Sequence, residues 1–532
     1  MSRTPLMKYL MQTYNIARWA KANGVPLDEA RQLHQSLVSR RRLLQYSAGA
    51  AALGLVGCGA AGGSGNDGGM MNMTADTKVA IVGAGMAGLH CAYKLKKRGL
   101  AASVYDGAKR VGGRLFTDRA TFGNGLTAEL GGEFIDTSHS VTRGLAAELG
   151  IALADTDTDT HVASITAYFG GKALSDADIL NGFAPIAAKI DEAFGALTDP
   201  NVWVTYKNAN GATVLDNTSI KAWFNQQNIA ASDPVRQLIE VAYLGEYGLE
   251  TDVSSVLNLL GLISTETTQF NIFGASDERF YAVDGNDTFT TKLAAALDPA
   301  QINLESRLVA LKATSDNRYE LTFDRGASTL TVKADHVVLA LPFTMLRKVQ
   351  IDVNLPTVKK KAIDELGYGT NAKLLCGFDT RVWRTQYMAN GTTYAELPFQ
   401  EAWEPQRLHT QTAGVMTQYV GGTLGAHFHT DTPEARATAF LNDLELVFPG
   451  VKAAHNGKVA RFAWPQHEFT QGSYSAYTVG QWTTICGAER ERVGNLHFCG
   501  EHTSLGAQGY IEGAAETGGE AADDVAMALG LP

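Results

Sequence analysis

Between residues 78 and 106 the spacing of hydrophobic positions changes twice. Val79-Ala80-Ile81-Val82 is an unbroken apolar run of the kind a strand buried on both faces requires. Beyond Gly83-Ala84-Gly85-Met86-Ala87-Gly88 the spacing becomes helical: Leu89, Ala92, Tyr93 and Leu95 share one face, while Lys94, Lys96, Lys97 and Arg98 turn mainly outward. Gly99 can end this helix in a left-handed cap. A second strand, Ala101-Ala102-Ser103-Val104-Tyr105, stops at Asp106. The order strand, glycine turn, helix, strand predicts an α/β protein with a parallel sheet.

The same alternation returns later. Thr291–Leu297 reads as a helix, Ile302–Phe323 as a β-rich stretch, and Val337-Val338-Leu339-Ala340-Leu341 as a buried strand before Pro342. Leu496-His497-Phe498 is a strand that ends at Gly500, and small residues after Gly509 open another helix.

The first glycine cluster has a physical reading. Gly83 permits the tight turn, Gly85 lets the backbone approach a pyrophosphate, and Gly88 lets helix and strand pack closely. The helix N-terminus then faces the phosphates. Asp106, 18 positions after Gly88, is placed to accept hydrogen bonds from an adenosine ribose. Flanking strand, helix and acid in register predict a dinucleotide site, although this fingerprint alone does not separate NAD from FAD.

Composition narrows the class. The 532 residues are 45% hydrophobic and 19% charged, which excludes a disordered tail or a coiled coil. The net charge of −10 argues against general affinity for nucleic acid. That charge is uneven, since residues 1–57 carry eight basic side chains and two acidic ones. Within this segment Arg40-Arg41-Arg42 precedes a weakly apolar run, Tyr46–Val56, too short to span a bilayer. It resembles a bacterial twin-arginine export signal, and Leu55-Val56-Gly57-Cys58 resembles a lipoprotein cleavage site. The expectation is an exported protein, periplasmic or anchored by lipid at Cys58, with a signal over 1–58 and a flexible tether over 59–76. Cys91, Cys376, Cys486 and Cys499 lack paired spacing, so neither a disulfide framework nor a metal site is expected.

Three further segments carry a resemblance. Val111-Gly112-Gly113-Arg114, Glu129-Leu130-Gly131-Gly132 and Gly500-Glu501 with Gly509-Tyr510-Ile511-Glu512-Gly513 resemble the flavin-contacting signatures of the flavin amine oxidases, the family of the monoamine oxidases and L-amino acid oxidases. The resemblance is strongest toward bacterial L-amino acid oxidases. It implies a discontinuous Rossmann-like FAD domain over 77–140, 278–345 and 455–532, with an α+β substrate domain inserted over 141–277 and 346–454. It further implies that Gly113 and Arg114 meet cofactor phosphate and that Gly131 and Gly132 pass close to the isoalloxazine. Leu308 approaches adenine, Glu501 lies near the ribityl phosphate, and the amides of Ile511 and Glu512 sit under the pyrimidine end. FAD is expected to be non-covalent, because Ser473 stands where covalent relatives carry a cysteine.

For the chemistry, Lys373 in Asn371-Ala372-Lys373-Leu374 matches the lysine that holds a water beside flavin N5. Trp464 is expected to border the flavin, with Tyr474 and Tyr510 framing the substrate amine. After Gly132 this chain has Glu133-Phe134-Ile135-Asp136, and Phe134 takes the place of the arginine that binds substrate carboxylate in familiar L-amino acid oxidases. Arg381 or Arg384 then binds the carboxylate, or Glu133 and Asp136 attract a cationic group. Three readings follow: an L-amino acid oxidase, including one for basic side chains, that uses dioxygen and releases a 2-oxo acid, ammonia and hydrogen peroxide; a mono- or polyamine oxidase; and a non-catalytic flavin-binding lipoprotein. Oligomeric state is not legible.

Overall fold

A computed structural model of the chain describes residues 74–160, 162–163, 165–200 and 202–531. The export and lipidation segments, with Arg40, Arg41 and Cys58, lie outside the described residues.

The apolar run at Val79 forms the middle of the first sheet. Strand Thr74–Val82 lies parallel to Thr329–Leu339 on one side and to Ser103–Tyr105 on the other. The sheet has eight strands among the described residues, mixed in direction: Tyr319–Asp324 runs antiparallel to the start of Thr329–Leu339, while Leu496–Phe498 runs parallel to its end. Val79 to Val82 are at most 1% exposed, as an unbroken apolar strand demands. Helix Met86–Lys97 packs across Ile511–Ala528, and the small residues of the latter have a steric reason. A methyl on Gly518 would stand 2.2 Å from the Ala87 carbonyl oxygen. This is the expected α/β architecture.

A second sheet of seven strands takes the order His455–Ala463, Ala372–Phe378, Gly414–Val420, Glu401–Trp403, Thr393–Ala395, Thr166–Phe169, Lys172–Ala173. All seven residues of Ala372–Phe378 are buried. Pairing sets Phe462 beside Lys373, Lys373 beside Tyr419, and Tyr419 beside Glu401, giving one row across four strands.

Several expected boundaries move. Residues 74–76, expected to be tether, pair with Thr331–Lys333. Gln350–Asp352 joins the first sheet through Arg307–Ala313, and His455–Ala463 joins the second through Ala372–Phe378. Helix Ser140–Leu149 docks on Ile511–Ala528, because the Glu512 carboxylate accepts from the Val141 and Thr142 amides at its first turn. Pairing partners distant in sequence set these boundaries.

Candidate functional site

Residues from both sheets line one cavity of about 660 Å³. At one end stand the glycine cluster and Asp106. Gly83 has a φ of 114°, a region open to glycine at little cost, and a methyl on Gly88 would lie 1.9 Å from the Gly83 carbonyl oxygen. Helix Met86–Lys97 begins after Gly85 with no side-chain cap and no acidic residue in its first turn. A Cβ on Gly85 would meet only the Gly113 Cα, at 3.9 Å, so the backbone at the start of the helix borders open space. The uncapped amides of this first turn are the donor set a pyrophosphate needs. Asp106 is held by the amides of Ala84 (2.7 Å) and Ala108 (2.8 Å), and its oxygens retain lone pairs toward the cavity. Leu308 lines the cavity with Val309, which a β-bulge leaves outside the strand ladder.

Arg110 and Arg114 both line the cavity next to the second glycine loop. Arg110 donates to the Val111, Gly113 and Leu115 carbonyls and stacks on Phe116, shaping the glycine loop. Arg114, expected on phosphate, lines the cavity, makes an ion pair with Glu501 (2.7 Å) and donates to the Ser473 carbonyl. Glu501 accepts also from Ser475 and the Gly509 amide. Burial alone raises a carboxyl, but Arg114 overrides this and holds Glu501 below the usual range. Gly113, Gly500, Glu501 and Ile511 all line the cavity. Helix Ile511–Ala528 starts at Tyr510 without a side-chain cap, so its first amides also remain available to a negative charge.

The loop Glu129–Glu133 is the most constrained part of the wall. Each of its five carbonyl oxygens accepts from a side chain distant in sequence. Lys373 Nζ donates to Glu129 O (3.0 Å) and Gly131 O (2.9 Å), Trp464 Nε1 to Leu130 O (2.9 Å), and Asn286 Nδ2 to Gly132 O and Glu133 O. Lys373 gives its third bond to Glu133 Oε2 at 2.7 Å, and both side chains are 5% exposed. All three ammonium donors of Lys373 are thereby engaged within the protein. Water-holding by this lysine therefore requires one of these bonds to be exchanged. Glu133 Oε1 accepts from Trp403 Nε1 at 2.9 Å.

At the other end the lining residues are acidic and aromatic. Glu246, Glu278 and Glu401 are joined by Phe134, Phe273, Trp403, Tyr419, Tyr474 and Tyr510. Tyr474 and Tyr419 hydroxyls meet at 2.9 Å, and the Tyr510 hydroxyl donates to Glu246 at 3.0 Å. Burial, then the neighbouring Glu246, pushes the Glu401 carboxyl up to about 8. Burial likewise raises Glu278 well above the ordinary carboxyl range, with Glu401, Asp136 and Glu246 adding to it. Glu278 also holds a φ of +45°, an uncommon conformation for a side chain of this kind and one that concentrates at functional sites.

Other expected substrate residues lie elsewhere. Asp136 is fully buried and does not line the cavity; it accepts from the Glu278 amide and sits beside His139. Arg384 pairs with Asp159 and Glu404, and Arg381 with Glu404, away from the cavity wall. Among the described residues no cysteine lines the cavity. Glu246, Glu278, Glu401, Trp403 and Tyr419 were not found from sequence. Only the alternation Glu401-Ala402-Trp403 hinted that two of them share a face.

The family described as "Flavin containing amine oxidoreductase" matches residues 86–526. A Dictyostelium discoideum protein named "Probable flavin-containing monoamine oxidase A" is 24% identical, over 83% of this chain and 95% of the relative. An L-amino-acid oxidase of Sistrurus catenatus edwardsii is 23% identical, over 86% of this chain and 88% of its own. A solved putrescine oxidase bound to putrescine superposes with a TM-score of 0.71 at 21% identity, over 86% of this chain and all of that one.

Proposed function

Since the chain belongs to the flavin-containing amine oxidoreductases, with FAD as cofactor, we propose that it oxidises a primary amine carrying a second cationic group, a diamine or polyamine. The observation that carries this reading is the acidic end of the cavity. Among the described residues no basic side chain forms an ion pair with Glu278 or Glu401. A substrate ammonium there favours the ionised form of these carboxyls, which burial alone keeps protonated near neutrality, and so gains a counter-charge. The putrescine complex of the structural neighbour supports a diamine of this kind.

The residues divide the work. The two uncapped helix N-termini and Asp106 would hold the cofactor, and Lys373, Trp464 and Asn286 fix the Glu129–Glu133 loop beside it. FAD, when bound, would supply a two-electron acceptor for oxidation of the substrate CH–NH2 unit to an imine, with dioxygen as the final acceptor. Tyr474, Tyr510 and Phe134 enclose the substrate chain and exclude water. The balanced outcome is amine, dioxygen and water giving aldehyde, ammonia and hydrogen peroxide.

The L-amino acid reading keeps one support, the relatives that bear that name. The same acidic end can receive the side-chain cation of lysine or arginine. A substrate carboxylate, however, needs a cation, and the basic lining residue nearest the acidic cluster, Lys373, is already engaged. Peroxide release from putrescine, L-lysine, L-arginine and L-phenylalanine separates the readings. Putrescine is expected to turn over best, and turnover confined to the amino acids overturns the diamine reading.

Two variants test the acidic end. Glu401→Gln is expected to raise KM for putrescine roughly tenfold, the loss of about 1.4 kcal/mol from one charged contact. In the unsubstituted protein, diamine affinity weakens as pH falls through about 8, where Glu401 takes up a proton; Glu401→Gln removes that dependence. Glu278→Gly releases a backbone at φ +45°, so a gain of roughly 1 kcal/mol in thermal stability is expected alongside a higher KM for the diamine.

A further inference from the structure

The cavity is electrically unequal along its length. At one end Glu133 and Lys373 form a closed pair, with the remaining Lys373 donors on backbone carbonyls and the second Glu133 oxygen on Trp403. Glu129 does not line the cavity, and its oxygens accept from Thr117 and the Asn286 amide. At the other end stand Glu246, Glu278 and Glu401. Lys373 and Glu401 occupy the same row with Tyr419 between them, two strand spacings or about 10 Å apart.

We infer that the Lys373–Glu133 pair keeps the flavin-proximal end of the cavity neutral and thereby strips the proton from the amine to be oxidised. A diamine then binds with its outer nitrogen charged and its inner nitrogen neutral. The inference rests on the diamine reading for the outer nitrogen only.

The chemistry requires the distinction. A nitrogen that is to release electrons needs its lone pair, and an ammonium has none. An ammonium entering a closed, charge-balanced end leaves water with no uncompensated anion to meet, so desolvation favours its neutral form. The proton passes to solvent as the diamine enters: a dication outside becomes a bound monocation and a released proton. Other titratable groups facing the pair do not undo the balance. From the helix Pro234–Tyr247 comes Glu246, bonded to Tyr510; from the loop before Phe280, Glu278; from the second sheet, Glu401 and Tyr419; from the loop after Trp464, Tyr474; and from Phe280–Ala282, Tyr281. The carboxylates among these belong to the outer end, and burial raises the tyrosines, which stay neutral.

Each partner removed alone leaves the other unbalanced, and with opposite sign. Lys373→Met leaves a bare carboxylate, which retains the inner ammonium. Glu133→Gln leaves a bare ammonium, which repels it. The test is the pH profile of flavin reduction by putrescine in anaerobic stopped flow, with holoenzyme content checked by flavin absorbance. The kinetic pKa of the amine is expected to rise by about one unit or more in Lys373→Met, to fall in Glu133→Gln, and to return toward the original value in the double variant. Proton release provides a second readout. Calorimetric titration of putrescine into the pre-reduced holoenzyme, in two buffers of different ionisation enthalpy, is expected to show close to one proton released, and fewer in Lys373→Met.

An unchanged kinetic pKa in both single variants overturns the inference, as does a shift in Lys373→Met that persists in the double variant. If putrescine fails to reduce the flavin but L-lysine does, the diamine reading falls, and the same profiles with L-lysine still decide the role of the pair.

Discussion

Gly131→Ala is expected to yield a folded protein that purifies with little or no FAD. A methyl at this position would stand 1.9 Å from the Arg114 carbonyl oxygen and 3.2 Å from the Trp464 ring. Neither neighbour can yield. The Arg114 segment is tied to Glu501 by an ion pair, and Trp464 Nε1 is bonded to Leu130 in the same loop. The loop must therefore move off the position that five side-chain hydrogen bonds define. Overpacking of this kind costs ~1–3 kcal/mol, which corresponds to a roughly ten- to hundredfold loss of cofactor affinity. The ratio of flavin to protein absorbance after gel filtration reads the effect, and full occupancy in the variant would show that the loop does not set the flavin position.

Arg114→Ala carries the second large effect. Glu501 is 4% exposed, and its carboxylate is balanced by Arg114 at 2.7 Å. Removing the guanidinium leaves a buried charge without its partner, a loss of about 3 kcal/mol. The pH dependence identifies the cause. In the unsubstituted protein Glu501 lies below the ordinary value of 4.5, so its contribution is present above that pH and is lost as pH falls through its folded value. The stability difference between variant and parent is accordingly expected to be largest at neutral pH and to shrink as pH falls toward and below 4.5. Thermal unfolding followed across that range measures it. A difference independent of pH would assign the role of Arg114 to packing alone.

Both predictions depend on contacts between segments hundreds of residues apart, and this separates what could be read in the sequence from what could not. The nucleotide end was legible because its elements are local. Strand, glycine turn, helix and ribose acid follow one another between Val79 and Asp106, and the helix N-terminus is a consequence of backbone geometry alone. The signatures around Gly113, Gly131 and Glu501 could likewise be placed by their residues. Their partners could not. Arg114 could be placed on the cavity from its signature, but its ion pair with Glu501 in another segment could not. Asp136 and the two arginines at 381 and 384 read as substrate groups because charge is visible in a sequence and burial is not.

The acidic end of the cavity shows the limit most clearly. Glu246 comes from a helix, Glu278 from a loop held at positive φ, and Glu401 from a short strand whose position depends on pairing with Gly414–Val420. No spacing links them. The order of residues alone specifies the periodicities, turns and helix ends, since these arise from forces between near neighbours along the backbone. Which carboxylate finds a lysine and which is left facing an open cavity depends on strand register and long-range packing, because electrostatic partnership falls with distance through space and takes no account of distance along the chain.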